Sequence, residues 1–191
     1  MLEIHKTDLP GVLVLKTRRF VDGRGYLVET FSERAFSGAG LRTGFVQENL
    51  SCSNRAGTIR GLHFQVPPAA QAKLVRVLRG AIFDVVVDLR QGSPTYGQWR
   101  GRILTAADGE QLFIPRGFAH GICTLEAQTE VSYKMDSFYA PECDAGLNWS
   151  DPDLKINWPI DAKAAILSER DVGLGFFRDF VTPFRFEKGF E

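Results

Sequence analysis

Short β-rich runs recur along this chain roughly every 8–12 residues, each closed by a turn signal, and that rhythm points to a sandwich or barrel of antiparallel strands. The predicted strands are Val12–Lys16, Gly25–Thr30, Phe45–Ser51, Ile59–Gln65, Lys73–Leu78, Ala81–Leu89, Gln98–Leu104, Gln111–Ile114, Gly121–Leu125 and Glu130–Met135. Asp22-Gly23-Arg24-Gly25 and Arg79-Gly80 read as hairpin connections, and Asp108-Gly109 is a strong signal for a third. Ser32 to Gly40 predicts one short helix, with Ser32 as N-cap and the glycines ending it. Internal repeats, low-complexity stretches and linkers are missing. The expectation is one mainly β domain over residues 1–191 with a few short helices, its segment from about 147 to 191 wrapping the sandwich.

Charge removes several classes of partner. Twenty-three lysines and arginines balance 23 acids, so no basic field attracts nucleic acid or an anionic membrane. The apolar run Gly11-Val-Leu-Val-Leu15 stops at Lys16, too short for a spanning helix or a signal core. Cys52, Cys123 and Cys143 are odd in number and scattered, which suits a reducing compartment. A soluble, cytoplasmic protein is expected.

Only three histidines occur, and His63 sits in Thr58-Ile-Arg-Gly-Leu-His-Phe-Gln65, with Arg60 and Lys73 close in sequence. Imidazole titrates nearest neutral pH, so it can take a proton and return it. Period-two alternation puts Lys73 with Val75 and Val77 on one face, and Tyr133 with Val131. Strict alternation would face Arg60 and His63 apart unless a bulge at Gly61 intervenes. Each residue also has a plainer reading: His63 as a hydrogen-bonded core histidine, Lys73 as a solvated edge lysine, Tyr133 as core, His120 as a loop cap, and Arg18, Arg19 and Arg24 as a solvated hairpin end.

A metal-binding barrel usually supplies a His-x-His pair, a carboxylate and a further histidine. His63 and His120 are isolated and His5 lies near the start, so neither a metal nor any other cofactor is expected. Glycine-rich dinucleotide loops, a phosphate loop and a Gly-x-Ser-x-Gly elbow are likewise missing from the sequence.

Ile59-Arg-Gly-Leu-His-Phe-Gln65, Gln71-Ala-Lys-Leu-Val-Arg76, Gly80-Ala-Ile-Phe-Asp-Val-Val-Val-Asp-Leu-Arg90, Ser93-Pro-Thr-Tyr-Gly97, Ile114-Pro-Arg-Gly-Phe-Ala-His-Gly121, Tyr133-Lys134 and Phe138-Tyr-Ala-Pro141 follow one another in an ordered set. Asp151-Pro, Ile156-Asn-Trp-Pro159 and Leu167-Ser-Glu-Arg-Asp171 continue it. From Phe20 to Asp171 the chain resembles the dTDP-4-dehydrorhamnose 3,5-epimerase family. The resemblance implies a cupin-type jelly-roll fold, a homodimer, and an N-terminal hairpin arm, about residues 12–30, exchanged with the partner subunit.

The same resemblance implies conversion of dTDP-4-dehydro-6-deoxy-D-glucose to dTDP-4-dehydro-L-rhamnose, by removal and return of the C3 and C5 protons beside a ketone. It assigns His63 as general base, Asp171 as its orienting carboxylate, Lys73 as the cation on the developing O4 oxyanion and Tyr133 as the opposing acid. Substrate contacts carry over to Arg60, Gln47, Asn49 and His120, with Tyr139 stacking on the thymine. Phe20, Arg24 and Glu29 would reach the nucleotide from the arm, and Asp144 and Arg170 are weaker contact positions. The chain departs from the family pattern at Glu48-Asn-Leu-Ser51, where many members have Asp-Asn-His-Ser, and modestly at Phe138 and Asp144. Two other readings share these residues: an epimerase of one centre only, and a silent sugar-nucleotide-binding module.

Overall fold

The computed structural model describes residues 2–41 and 44–187. A six-stranded sheet holds β1 (Leu2–Lys6), β2 (Leu13–Thr17), β10 (Glu110–Ile114), β7 (Lys73–Arg79), β12 (Thr129–Met135) and β5 (Gln47–Ser53), in that spatial order. A five-stranded sheet holds β13 (Asp144–Gly146), β6 (Ile59–Gln65), β11 (Phe118–Thr124), β8 (Ala81–Asp88) and β9 (Trp99–Thr105). All pairings within the two sheets are antiparallel. β3 (Arg19–Asp22) and β4 (Gly25–Val28) form a separate hairpin.

Alternation along the strands makes three apolar layers. Between the sheets lie Val14, Val75, Val77, Ile82, Val86, Leu112, Ile122 and Val131, with Tyr133 packed against them. The outer face of the five-stranded sheet is covered by the C-terminal segment, whose Leu147, Leu154, Trp158 and Phe184 meet Ile59, Leu62, Phe64 and Val85. On the outer face of the six-stranded sheet, Phe36 of α1 (Glu33–Gly38) covers Leu15, Leu74 and Phe113. Each such side chain, fully buried, contributes about 1.5–3 kcal/mol, so β8, buried along nearly its whole length, is the spine of the domain.

The sequence pattern places most strands within a residue or two. The Ser32 cap is present, its side chain accepting from the Ala35 amide. Strands β1, β3 and β13 go beyond the predicted set, and Leu13–Thr17 is built into the main sheet, so the free hairpin spans Arg19 to Val28.

Candidate active site

Gly61 decides how β6 presents its side chains. Ile59, Leu62 and Phe64 all face the C-terminal segment, which strict alternation forbids. The register with β11 slips at this point: Arg60 lies opposite Ile122 and His63 opposite His120, leaving Gly121 across from both Gly61 and Leu62. Ile122 belongs to the interior layer, and His120 shares its face by alternation. The bulge therefore turns Arg60 and His63 to the same side, into the sandwich. Gly61 has φ +125°, and a Cβ there would stand 2.6 Å from the Gly121 Cα and 2.7 Å from the His120 carbonyl oxygen, so only glycine fits.

The interior side chain of His63 meets a carboxylate from far along the chain. Its Nε2 lies 2.6 Å from Asp171 Oδ1. Asp171 is buried in the one-turn helix α2 (Glu169–Val172), where Ser168 caps the first turn and bonds the Asp171 amide. Burial opposes its charge, but hydrogen bonds from His63, Ser168 and the Gly61 backbone outweigh that and hold its carboxyl below the usual range. An ionised carboxylate only accepts, so the proton sits on Nε2 and the Nδ1 lone pair of His63 is free to act as a base.

α2 is itself held. The Asn148 side chain donates to the carbonyls of Val172 and Leu174, and its amide to that of Gly175. Buried Asp151 accepts from the Phe177 amide. The strap carrying Asp171 is thus tied to the barrel on the C-terminal side of the helix.

Lys73 opens β7 on the interior face, with its Nζ 3.3 Å from the His63 carbonyl oxygen. Burial pulls its pKa down to about 8, against the attraction of Asp144 and Asp84, while Arg170 adds to the lowering. It remains an ammonium at neutral pH and is poorly solvated, the condition in which a cation acts strongly on a developing oxyanion. Tyr133 lies on the interior of the six-stranded sheet, between Val75 and Asn49 in the strand register. His63 and Tyr133 therefore stand on opposite walls of the sandwich.

Around them the remaining predicted residues fall into small groups. Gln47 donates to Asn49 Oδ1 and accepts the Tyr139 amide, and buried Gln65 holds the same loop through Phe138 and Ala140. Tyr139 donates its hydroxyl to Asp144, whose carboxylate also pairs with Arg170 at 2.6 Å. Arg60 bonds Ser53 Oγ and the Cys52 carbonyl at the edge of the interior. Phe20, Arg24 and Glu29 are exposed, Arg24 is paired with Asp22, and among the described residues no hydrogen bond joins them to this cluster.

One participant carried no expected role. Asp84, 1% exposed in the middle of β8, lies 2.9 Å through Oδ2 from His120 Nε2, making a second His–Asp pair beside the first. The signal was a lone acid inside the apolar run Ala81-Ile-Phe-Asp84-Val-Val-Val87, where a charge is tolerated only with a partner. Among the described residues no three His, Cys, Asp or Glu side chains are gathered as a metal-ligand set, and no helix is long and apolar enough to cross a membrane.

A jelly-roll sandwich of the cupin type, with a half-buried His–Asp dyad facing a tyrosine across its interior, defines a barrel built for proton transfer. Residues 6–179 match the model of the family described as dTDP-4-dehydrorhamnose 3,5-epimerase. A relative of that name from Sinorhizobium fredii is 47% identical over 181 residues, covering 95% of this chain and 92% of its own. The Bacillus anthracis dTDP-4-dehydrorhamnose 3,5-epimerase structure, with TDP and pyrophosphate bound, superposes with a TM-score of 0.89 at 45% identity, covering 92% of this chain and 99% of that one. A Legionella pneumophila dTDP-6-deoxy-D-glucose-3,5-epimerase in complex with dTDP-4-keto-L-rhamnose gives 0.92 at 36% identity, covering 98% and 100%. This chain belongs to the dTDP-4-dehydrorhamnose 3,5-epimerase family.

Proposed function

We propose that the chain converts dTDP-4-dehydro-6-deoxy-D-glucose to dTDP-4-dehydro-L-rhamnose by inverting C3 and C5 in turn. The observation that carries this is the pair of facing walls: a histidine oriented by Asp171 on one and a tyrosine on the other. A sugar ring lying between them meets a base on one face and an acid on the opposite face, which is the arrangement that inverts a carbon.

The C3 and C5 hydrogens lie beside the C4 ketone, so their removal gives an enolate that needs no redox step. His63 Nδ1 takes the proton, and Asp171 stabilises the imidazolium that forms. The Lys73 ammonium sits where charge grows on O4, with Arg60 and His120 at the same end. Tyr133 then delivers its hydroxyl proton to the other face of the enolate. Gln47, Asn49, Asp144 and Arg170 bind around the Tyr139 ring, which stacks on the thymine.

The functional unit in this reading is a homodimer in the cytoplasm. Supporting it are a hairpin that leaves Phe20, Val21, Tyr26 and Leu27 more than half exposed and three cysteines without disulfides. Exchange of that hairpin would bring Phe20, Arg24 and Glu29 to the partner's nucleotide.

Incubation with this substrate in deuterated water, followed by NMR, tests the reading. Label at both C3 and C5 of the product is expected. Label at one carbon makes the protein a single-centre epimerase, and binding without label makes it a silent module.

A further inference from the structure

Asp84 borders two spaces. Through Oδ2 it holds His120, the strand-register partner of His63. Its other oxygen, Oδ1, is buried and finds no hydrogen-bond partner among the described residues. A carboxylate half-satisfied in an apolar strand costs stability, and such groups are retained where they serve function. Asp84 also lines a cavity of about 320 Å³ that opens between the two sheet edges β1 and β9. Apolar Val14, Val86 and Leu112 form part of its lining, and Lys6, Arg100 and Arg102 its charged rim. Arg100 is paired with Asp8 and Arg102 with Glu110. None of the residues assigned to substrate lines this cavity, so it is a separate space behind the site.

The two-centre reaction proposed above, on which this inference rests, creates a proton problem. One inversion leaves His63 as imidazolium and Tyr133 as tyrosinate. The second needs a neutral His63 and a protonated Tyr133. A proton must leave one wall and another must reach the opposite wall while the sugar still occupies the interior.

We propose that His120 and Asp84 form the relay that resets the site between the two inversions, with the cavity behind Asp84 as its water-filled port. Cross-strand neighbours stand about 5 Å apart at Cβ, so one substrate hydroxyl or water suffices to join His63 to His120. His63 passes its Nδ1 proton to His120 Nδ1, and His120 passes its Nε2 proton to Asp84. The neutral carboxylic acid turns and releases that proton to water in the cavity. In the return stroke His120 gives its Nδ1 proton to the tyrosinate of Tyr133, and Nε2 regains one from cavity water through Asp84. His120 and Asp84 end unchanged, and one proton has moved from His63 to Tyr133. Lys73, whose ammonium feels the charge of Asp84, and Arg102, its register partner on β9, are the cations that face the relay.

Asp84→Asn keeps the size and a hydrogen bond but cannot carry a proton. In single-turnover deuterium incorporation the variant should invert the first carbon at near the normal rate and the second about 100-fold more slowly. Added imidazole should restore the second step about tenfold or more, because a small buffer replaces the relay. Equal slowing at both carbons that imidazole does not relieve would show a positioning role only and overturn the relay, as would unchanged rates at both. Lys6→Trp, which places an indole at the cavity mouth and touches nothing in the site, covers the case in which Asp84→Asn does not fold. It should slow the second carbon alone, and an unaffected second carbon overturns the port. Wild-type protein that exchanges neither carbon would instead sink the epimerase reading itself.

Discussion

Asp171 reaches His63 from 108 positions further along the chain and closes to 2.6 Å, while the Gly61 backbone helps keep the same carboxylate charged. The dyad is thus built from two ends of the domain, and the bulge in β6 both aims the histidine and helps hold its partner.

Removing the carboxylate's charge should disable the base with little effect on substrate binding. Asp171→Asn can present its amide N–H to Nε2 and so favour the tautomer with the proton on Nδ1. A fall in kcat of about 10³-fold or more, with KM within a few-fold, is expected from steady-state kinetics. His63→Asn should fall at least as far. A normal kcat in either variant would remove His63 from the role of base.

Gly61→Ala tests the bulge. The added methyl meets the backbone of Gly121 and His120, and alanine is strained at this positive φ by about 1–3 kcal/mol. Thermal denaturation should show a lower Tm. In the folded fraction activity should drop by more than stability alone explains, because relief of the clash moves Arg60 and His63. Normal kcat in a fully folded variant would show that the bulge does not set the site.

Some of this was readable in sequence and some was not, for physical reasons. Alternation alone placed Lys73 beside Val75 and Val77, and Tyr133 beside Val131, on the interior face, because those strands are regular where the residues sit. The facing of Arg60 and His63 was undecidable, since a bulge depends on which residue stands opposite and Gly121 lies on another strand. Asp171 could be named only by resemblance: no local pattern tells a one-turn helix where its side chain will land. β1 is half exposed and β13 only three residues long, too short for a period to register, and Asp84 was visible as a misplaced charge without a stated partner.

Tyr133→Phe should separate exchange from inversion. The base on the opposite wall is intact, so His63 can still remove a proton and return a solvent deuteron to the same face. NMR of the recovered sugar should show label at C3 or C5 with the original configuration, and turnover to the inverted product should fall about 10²–10⁴-fold. Undiminished inversion would assign the acid elsewhere.

Leu27, 74% exposed, and Phe20, 54% exposed, lie directly opposite one another on the hairpin and, among the described residues, belong to none of the hydrophobic core clusters. Phe20→Ser with Leu27→Ser should shift the mass measured by light scattering from two chains towards one and weaken nucleotide binding together with it. A dimer of unchanged mass and affinity would place the interface on another surface.

Lys73 sets an alkaline limit. With its pKa drawn down to about 8 by burial, the ammonium that the proposed mechanism assigns to the developing O4 charge is lost as pH rises through that value. kcat/KM should therefore decline above about pH 8, and Lys73→Arg, charged throughout, should lose that limb even if its overall rate is lower. Lys73→Ala should cost about 3–4 kcal/mol of transition-state stabilisation at neutral pH. Stability moves the opposite way: between about pH 8 and the 10.5 of an ordinary lysine, the unfolded chain binds a proton that the folded chain does not. Unfolding free energy should consequently rise over that window through this group, and the rise should vanish in Lys73→Met. Chemical denaturation at a series of pH values, paired with the rate profile, checks both signs. A rate limb that persists in Lys73→Arg would assign it to another group.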